Sequence, residues 1–441
     1  MRVRLILGWF VVLTMVVAIG YAQEPPVRRL SLSEALDIAR RNNPDYLSTL
    51  NNRSPAASRA FYSTVNLFTP YTSVSAGESW AQRGKYNLQG FEFPTPKSQG
   101  SSWSLSFSYL LSGSTIAQRG FAAAQLHAAD QDIASSLTLL ETSVRQEYLN
   151  LLEARAQADL AAHVVTRAQE LLALAQARFS VGQGTMIDVR RAQVDKGTAD
   201  VGLLQAQQNV EIEVLRLFQR LGVPAPEPVR IEPTDTFPVT APAWNQDTLV
   251  ALALAENPIL RALRARAGAA RWSTRGAYST YLPSLSLSAS YGKYTQTTTD
   301  TLNRSTTTNG TSPWNLRIGL SLPLFDAFSR NVQVSQARAD EEDLQLAIRA
   351  RELQVRGDVS AAFTSLVAAY RTIGVQTSNR AAADEALSLA TQRYRVGSGS
   401  IIELLDARVT AETASANYIN AVYNYHKAIA ALEQAVGRTL R

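Results

Sequence analysis

The chain has 441 residues, 46% of them hydrophobic, a formal charge of +6, no cysteine and three histidines. Without cysteine there are no disulfides and no thiolate chemistry, and the scattered His127, His163 and His426 have no metal-binding spacing. The positive charge is spread along the chain with no basic stripe interleaved with aromatics, so no nucleic acid partner is indicated.

At the N-terminus, Arg2 and Arg4 precede an apolar run, Leu5 to Ile19, followed by Gly20-Tyr21-Ala22. This pattern predicts a signal peptide over residues 1–22, cut after Ala22, and an exported chain. With Gln23 next and no cysteine, an N-terminal lipid anchor is excluded. Beyond that segment no apolar run is long enough for a membrane helix, so any membrane crossing must use strands.

The remainder is a duplication. Arg178-Phe-Ser-Val-Gly-Gln-Gly-Thr-Met-Ile-Asp-Val189 is matched by Arg393-Tyr-Arg-Val-Gly-Ser-Gly-Ser-Ile-Ile-Glu-Leu404. Asn43-Pro44 matches Asn257-Pro258, Trp103 matches Trp314, and Leu221-Gly222 matches Val436-Gly437. A repeat this long makes a two-fold pseudo-symmetric protein rather than a solenoid. The division is a first repeat over 23–223, a Pro-rich linker over 224–246 and a second repeat over 247–441.

Within each repeat a helical opening is followed by two strands, expected near 70–80 and 103–112 in the first and 283–293 and 314–324 in the second. Trp103, Leu105, Phe107, Tyr109 and Leu111 alternate with serines, and Trp314, Leu316, Ile318, Leu320 and Leu322 with Asn315, Arg317, Gly319 and Ser321. Such two-faced strands have the length that crosses a tilted bilayer. Polar loops are expected between them, over 82–100 and 294–312. Small polar residues on the second face suit a water-filled lumen, and the tryptophans suit an interfacial girdle. Four strands cannot close a membrane barrel, so the chain must share one with copies of itself.

Long helices come next. All 17 prolines lie in 25–96 and 224–323, which leaves two long proline-free stretches. Heptads run through both: Leu137, Val144, Leu151, Ala158, Val165, Leu172 and Phe179 in the first, Val359, Leu366, Ile373, Leu387 and Tyr394 in the second. That period predicts coiled-coil hairpins, the first helix being about 100 Å long at 1.5 Å per residue. Gly182 and Gly397 fit the left-handed position past a helix end, which places the hairpin tips at 182–184 and 397–399. Thr185-x-x-Asp188 and Ser400-x-x-Glu403 read as capping boxes, complete in the second copy and approximate in the first.

The twice-present motif Arg-aromatic-x-Val-Gly-x-Gly-[Ser/Thr]-x-Ile-acid resembles the outer-membrane efflux protein family, the TolC-like channels. So do the Leu32-x-x-Ala35-Leu36-x-x-Ala39 opening and Leu320-Ser-Leu-Pro-Leu-Phe-Asp326. The resemblance implies a mainly α fold with membrane β: a homotrimer with a twelve-stranded β-barrel in the outer membrane and a helical α-barrel through the periplasm. It implies docking of a periplasmic adaptor, fed by an inner-membrane transporter, at tips carrying Gly182, Gly184, Gly397 and Gly399. It assigns Glu403 and Asp406 to a ring of carboxylates at the pore constriction, and Asp188 and Tyr394 to contacts that hold the gate. The family's arginine partner falls at Gly399, a departure that leaves the lock without its usual ion pair. Helix capping is the alternative role for Glu403, and a solvated surface acid the alternative for Asp406. The implied function is a passive exit duct for small molecules or polypeptides, without cofactor, metal or catalysis. The rival reading is a secreted or surface-associated coiled-coil scaffold in which the strands form an ordinary sheet.

Overall fold

The computed structural model describes residues 28–225, 231–235, 237–300 and 302–440. The expected signal peptide and its cleavage point lie outside the described residues. In chain order the elements are β1 (Arg28–Leu30), α1 (Leu32–Asn42), α2 (Pro44–Asn51), α3 (Arg53–Val65), β2 (Tyr71–Ala81), β3 (Gly84–Leu88), β4 (Phe91–Thr95) and β5 (Lys97–Leu111). They continue with α4 (Gly113–Ser180), α5 (Met186–Leu221), β6 (Ile231–Pro233), α6 (Gln246–Glu256), α7 (Pro258–Ser279), β7 (Ser284–Thr299), β8 (Ser305–Ser321), α8 (Ser329–Arg395) and α9 (Ile401–Val436).

The heptads place the two rods as expected: α4 runs for 68 residues and α8 for 67, each returning through a 36-residue helix. Val144, Leu151, Ala154, Ala168 and Ala175 are buried along α4, and Val355, Val359, Leu366, Ala383 and Ala390 along α8. Small side chains on these seams let neighbouring helices approach closely.

Two of the repeated motifs lock the return helices to the start of each repeat. Asn43 accepts a hydrogen bond from Tyr46 N at 3.0 Å, capping α2, while its amide donates to Arg220 O at 2.8 Å near the end of α5. Asn257 does the same in the second copy, accepting from Ile259 N and donating to Ala435 O at 3.2 Å. The returning chain passes so close that only glycine fits. Gly222 has φ +75°, and a Cβ there would lie 2.4 Å from Asn42 O; Gly437 has φ +88° and meets Pro258 Cδ at 2.7 Å. Asn-Pro and the terminal glycine, 178–180 residues apart in sequence, are thus halves of one joint.

Above these joints sit two apolar cores. One gathers Leu30, Leu140, Val144, Tyr148, Leu151, Leu217 and Leu221, and the other Leu249, Val355, Val359, Leu366, Ile429 and Leu432. The hydroxyl of the fully buried Tyr148 lies 2.7 Å from the Asp235 carboxylate and 3.0 Å from Leu30 O and shares its one proton between these acceptors, tying β1 and the segment after β6 onto α4. Burial, with the Asp235 hydrogen bond next, holds its phenol well above the usual tyrosine range.

The four membrane strands form a single antiparallel sheet in the order β2-β5-β7-β8, which does not close on itself. Its register puts Val74, Leu105, Phe107, Leu287, Ala289, Leu316 and Ile318 on one face and Ser73, Ser75, Ser104, Ser106, Ser288, Ser290 and Arg317 on the other. Serine hydroxyls pair across strands, Ser73 with Ser106 and Ser75 with Ser104, both at 2.8 Å. On the apolar face Trp103, Tyr291, Trp314 and Phe107 form an aromatic cluster with centroids 5.4–6.3 Å apart. Leu316, Ile318 and Leu320 are 68, 69 and 74% exposed, an apolar band left uncovered by the described residues. No helix among the described residues is long and apolar enough to cross a membrane.

The strands are longer than their alternation suggested, and the expected polar loops are largely structured. β7 and β8 extend to Thr299 and from Ser305, held by hydroxyl pairs Thr297–Thr307 and Thr299–Ser305 at 3.0 Å. The segment before β5 folds into a hairpin, β3 on β4, with a Lys85–Glu92 ion pair at 2.7 Å. Apolar patterning marks only the part of a strand that faces lipid; threonine ladders above it carry no such signal.

On this geometry, Leu316→Arg places a charge in the apolar band and costs about 2–4 kcal/mol. Ser290→Arg, on the polar face, costs much less. Yield of assembled protein in detergent extracts of outer membranes reports the difference, and equal yields would contradict the assignment of the two faces.

Candidate pore mouth at the hairpin tips

Each tip is built by the same local rules. α4 ends at Ser180 with Val181 as its C-cap, and Gly182 at φ +73° turns the chain, with Gly182 N donating to Phe179 O at 3.0 Å and Gln183 N to Arg178 O at 2.9 Å. In the second copy Gly397 has φ +82°, Gly397 N donates to Tyr394 O at 3.2 Å and Ser398 N to Arg393 O at 2.9 Å. These paired bonds satisfy the last helical carbonyls and need a residue that tolerates the left-handed region. The second glycines serve closeness instead: a Cβ at Gly184 would sit 3.2 Å from Phe179 N, and one at Gly399 would sit 3.0 Å from Arg393 Cβ.

The caps reverse the sequence expectation. The complete reciprocal box is in the first copy: Asp188 N donates to Thr185 Oγ1 at 3.2 Å and Thr185 N to the Asp188 carboxylate at 3.1 Å. In the second copy Ser400 Oγ accepts from Glu403 N at 3.1 Å, but the Glu403 carboxylate turns away to pair with Arg393. An arginine within reach offers charge assistance that a backbone amide does not.

Glu403 and Asp406 lie one turn apart on the same exposed face of α9. Asp406 makes no ion pair among the described residues. Asp188 and Tyr394 do not share a hydrogen bond. Asp188 caps α5, and the Tyr394 hydroxyl has no hydrogen-bond partner among the described residues. Burial first, and the nearby Asp188 charge second, raise the Tyr394 phenol above its usual value.

What joins the two tips is Arg178, which sequence reasoning did not single out. Its guanidinium lies 4.5 Å from the centre of the Tyr394 ring, donates to Tyr394 O, and donates to Gln183 O in its own hairpin at 2.9 Å. Beneath it an apolar seam of Leu171, Ala175, Val189, Ala192, Ala390, Ile401 and Leu404 binds the two hairpins. The available signal was the arginine that opens the duplicated motif in each copy: Arg178 bridges to the other hairpin, and Arg393 takes Glu403.

Farther from the tips the contact between repeats becomes polar. Arg145 pairs with Glu433, Lys427 with Glu153 at 2.5 Å, and Gln157 donates to Asn420 at 2.8 Å. Between this ladder and the tips lies a charged cluster also missed in the sequence. Arg408, only 5% exposed, pairs with Asp195 of α5 and approaches Glu412 at 3.0 Å. Burial raises both carboxyls above their ordinary values, against the opposing pull of Arg408.

An open strand sheet continued by two rod-like hairpins defines a subunit of a membrane duct. The outer membrane efflux protein family matches residues 67–223 and 249–438, and the chain belongs to that family. It is 25% identical over 416 residues to the outer membrane protein TolC of Vibrio cholerae, covering 92% of this chain and 90% of that protein. It is likewise 25% identical to the pyoverdine export outer membrane protein OpmQ of Pseudomonas putida, with 92% and 85% covered. Against BepC of Brucella suis it is 23% identical and spans 61% of that protein. Among solved structures, the outer-membrane channel OprN superposes with a TM-score of 0.77 over 92% of this chain and 89% of that one, at 21% identity. VceC of Vibrio cholerae gives 0.76 over 93% and 97%, at 19% identity. The family is one of outer-membrane channels that extend into the periplasm and assemble as trimers, with adaptors and inner-membrane transporters as working partners.

Gly397→Ala forces a Cβ into the left-handed region and costs about 1 kcal/mol at the tip. Hydrogen exchange at the amides of residues 397–400 should quicken several-fold, while exchange near Leu366 stays unchanged. Unaltered exchange at the tip would mean that the turn is not under this constraint.

Proposed function

We propose that three copies of this chain form the exit duct of a tripartite efflux or type I secretion system, through which cargo passes without chemical change. The observation that carries this reading is the open four-stranded sheet, polar on one face and apolar on the other, continuous with helical hairpins of about 100 Å. Such a chain has the parts for crossing both a bilayer and the space beneath it. Relatives bracket the cargo. OpmQ is named for pyoverdine export, and AprF of Pseudomonas aeruginosa, 28% identical over 52% of this chain, for alkaline protease secretion. Both a small molecule and a polypeptide are therefore within the range of the family.

In this reading the periplasmic adaptor docks on the tips at Gly182, Gly184, Gly397 and Gly399, and an inner-membrane transporter supplies the driving force. Glu403 and Asp406 from three subunits form a ring of carboxylates at the narrow mouth. Their common exposed face supports this, since six acids converging on an axis attract cations. Arg393 neutralises part of that charge through Glu403, which leaves Asp406 as the stronger determinant. Asp188 and Tyr394 act in the gate indirectly: Asp188 shapes the start of α5, and Tyr394 offers its ring and carbonyl to Arg178.

In planar bilayers the purified protein should conduct, and divalent cations should block it. Glu403→Ala with Asp406→Ala raises the blocking concentration about tenfold or more, because the cations lose their ring of opposite charge. Unchanged block would place the constriction elsewhere. A scaffold without channel activity would leave the membrane fraction without detergent and would not conduct at all.

A further inference from the structure

Bases are spread along this chain, but acids are not. No acid stands between Asp45 and Glu78, between Glu92 and Asp130, between Glu256 and Asp300, or between Asp300 and Asp326. These four stretches hold nearly all of the four-stranded sheet, with α3, α7 and the start of α4 beside it. They are rich in bases: α7 alone carries Arg261, Arg264, Arg266, Arg271 and Arg275.

The strand register sorts the bases of the sheet. Lys97 and Lys293 stand on the same face as Trp103, whereas Arg317 pairs with Ser288 on the polar face. Among the described residues Arg317 is the single charged side chain on the polar face of β2, β5, β7 and β8. It is exposed and makes no hydrogen bond or ion pair among those residues. The acids that border the sheet are engaged elsewhere. Asp130 pairs with Arg53 and Asp132 with Arg266, both at 2.7 Å, and Asp326 with Arg330 at 2.8 Å. Glu78 lies on the other face, where it accepts from Gln99 at 2.9 Å. Ring closure sets β2 of the next copy beside β8, and the polar face of β2, with Tyr71, Ser73, Ser75 and Gly77, has no acid to offer.

Geometry turns this isolated charge into a ring. Twelve strands about 4.8 Å apart and tilted by about 40° enclose a barrel of about 12 Å backbone radius. An extended arginine covers about half of that distance, so three guanidiniums gather around the axis where serines leave open water. The lipid outside has a low dielectric constant and focuses their field into the lumen. Rings of arginine or lysine are the device by which pores pass anions. The carboxylates at the mouth lie beyond rods of about 100 Å, roughly ten Debye lengths at 0.1 M salt, so the two rings act independently.

We propose that Arg317 from three subunits forms an anion-selecting ring in the barrel lumen, and that the cargo of this duct is small organic anions. The proposal rests on the duct reading above and names the class of molecule that the exit end favours.

The test is ion selectivity of the full-length protein in planar bilayers, read as the chloride-to-potassium permeability ratio from the reversal potential in a KCl gradient near about 0.1 M. Arg317→Ser installs the side chain that dominates this face and should lower the ratio about fivefold, while Arg317→Lys should keep it. The difference between Arg317→Ser and the wild type should shrink toward nothing near 1 M salt, where the Debye length is about 3 Å. Citrate should block the wild type, and about tenfold more should be needed to block Arg317→Ser. A trimeric Arg317→Ser protein with the wild-type ratio overturns the ring. So does a change in ratio that persists undiminished near 1 M, because it would report pore shape rather than charge. A conducting wild type that citrate does not block overturns the cargo assignment. If Arg317→Ser does not assemble, Arg317→Gln, closer in size, is read in the same way. A wild type that does not conduct at all would instead sink the duct reading itself.

Discussion

Backbone hydrogen bonding at a sheet edge is the constraint from which the rest follows. In hydrocarbon an unpaired N–H or C=O has no water to bond, so only a closed sheet can sit there. This chain makes one sheet of four strands and leaves β2 and β8 with open outer edges. The two edges are the first and last strands of this sheet in chain order and belong to different repeats. Joining β8 of one copy to β2 of the next satisfies both, and repeating that step closes a ring. The uncovered band of Leu316, Ile318 and Leu320 then faces lipid, and the serines face water.

Ring closure also dictates the helices. Every strand pair feeds directly into a long rod, so a ring of strands becomes a ring of hairpins. The joint between Asn-Pro and the terminal glycine returns each hairpin to the base of its own repeat, which keeps the rods aligned over their length. Pseudo-symmetry holds at these joints and in the backbone turns of the tips. It fails in the side chains where the two hairpins meet: Arg178 stacks on Tyr394, and Arg408 reaches Asp195 with no mirrored counterpart.

Much of this was legible beforehand because it rests on period and on glycine. Heptads and the absence of proline marked α4 and α8, and Gly182 and Gly397 marked the turns. The lipid-facing parts of the strands were visible in their alternation. The threonine-rich ends of β7 and β8 and the β3–β4 hairpin were not, because strand pairing there depends on hydroxyl ladders and cross-strand partners rather than on an apolar face. The caps were read with their roles reversed, since a box formula cannot register that Arg393 competes for Glu403. Asp188 and Tyr394 were expected as gate contacts by resemblance alone; within the subunit Asp188 caps α5. Arg408 carried a sequence signal that went unread: a charge within the i, i+3, i+7, i+10 stripe whose other members are the apolar Ile401, Leu404 and Ala411.

A closed wall shared between copies is therefore the central claim, and subunit count tests it most directly. Native mass spectrometry of the detergent-solubilised protein should give three subunits and no substantial monomer. Introducing a proline in β8, at Ile318, removes a backbone donor from this edge strand and should convert that species to single chains. A wild-type protein that runs as one chain and still conducts ions would contradict the account at its base.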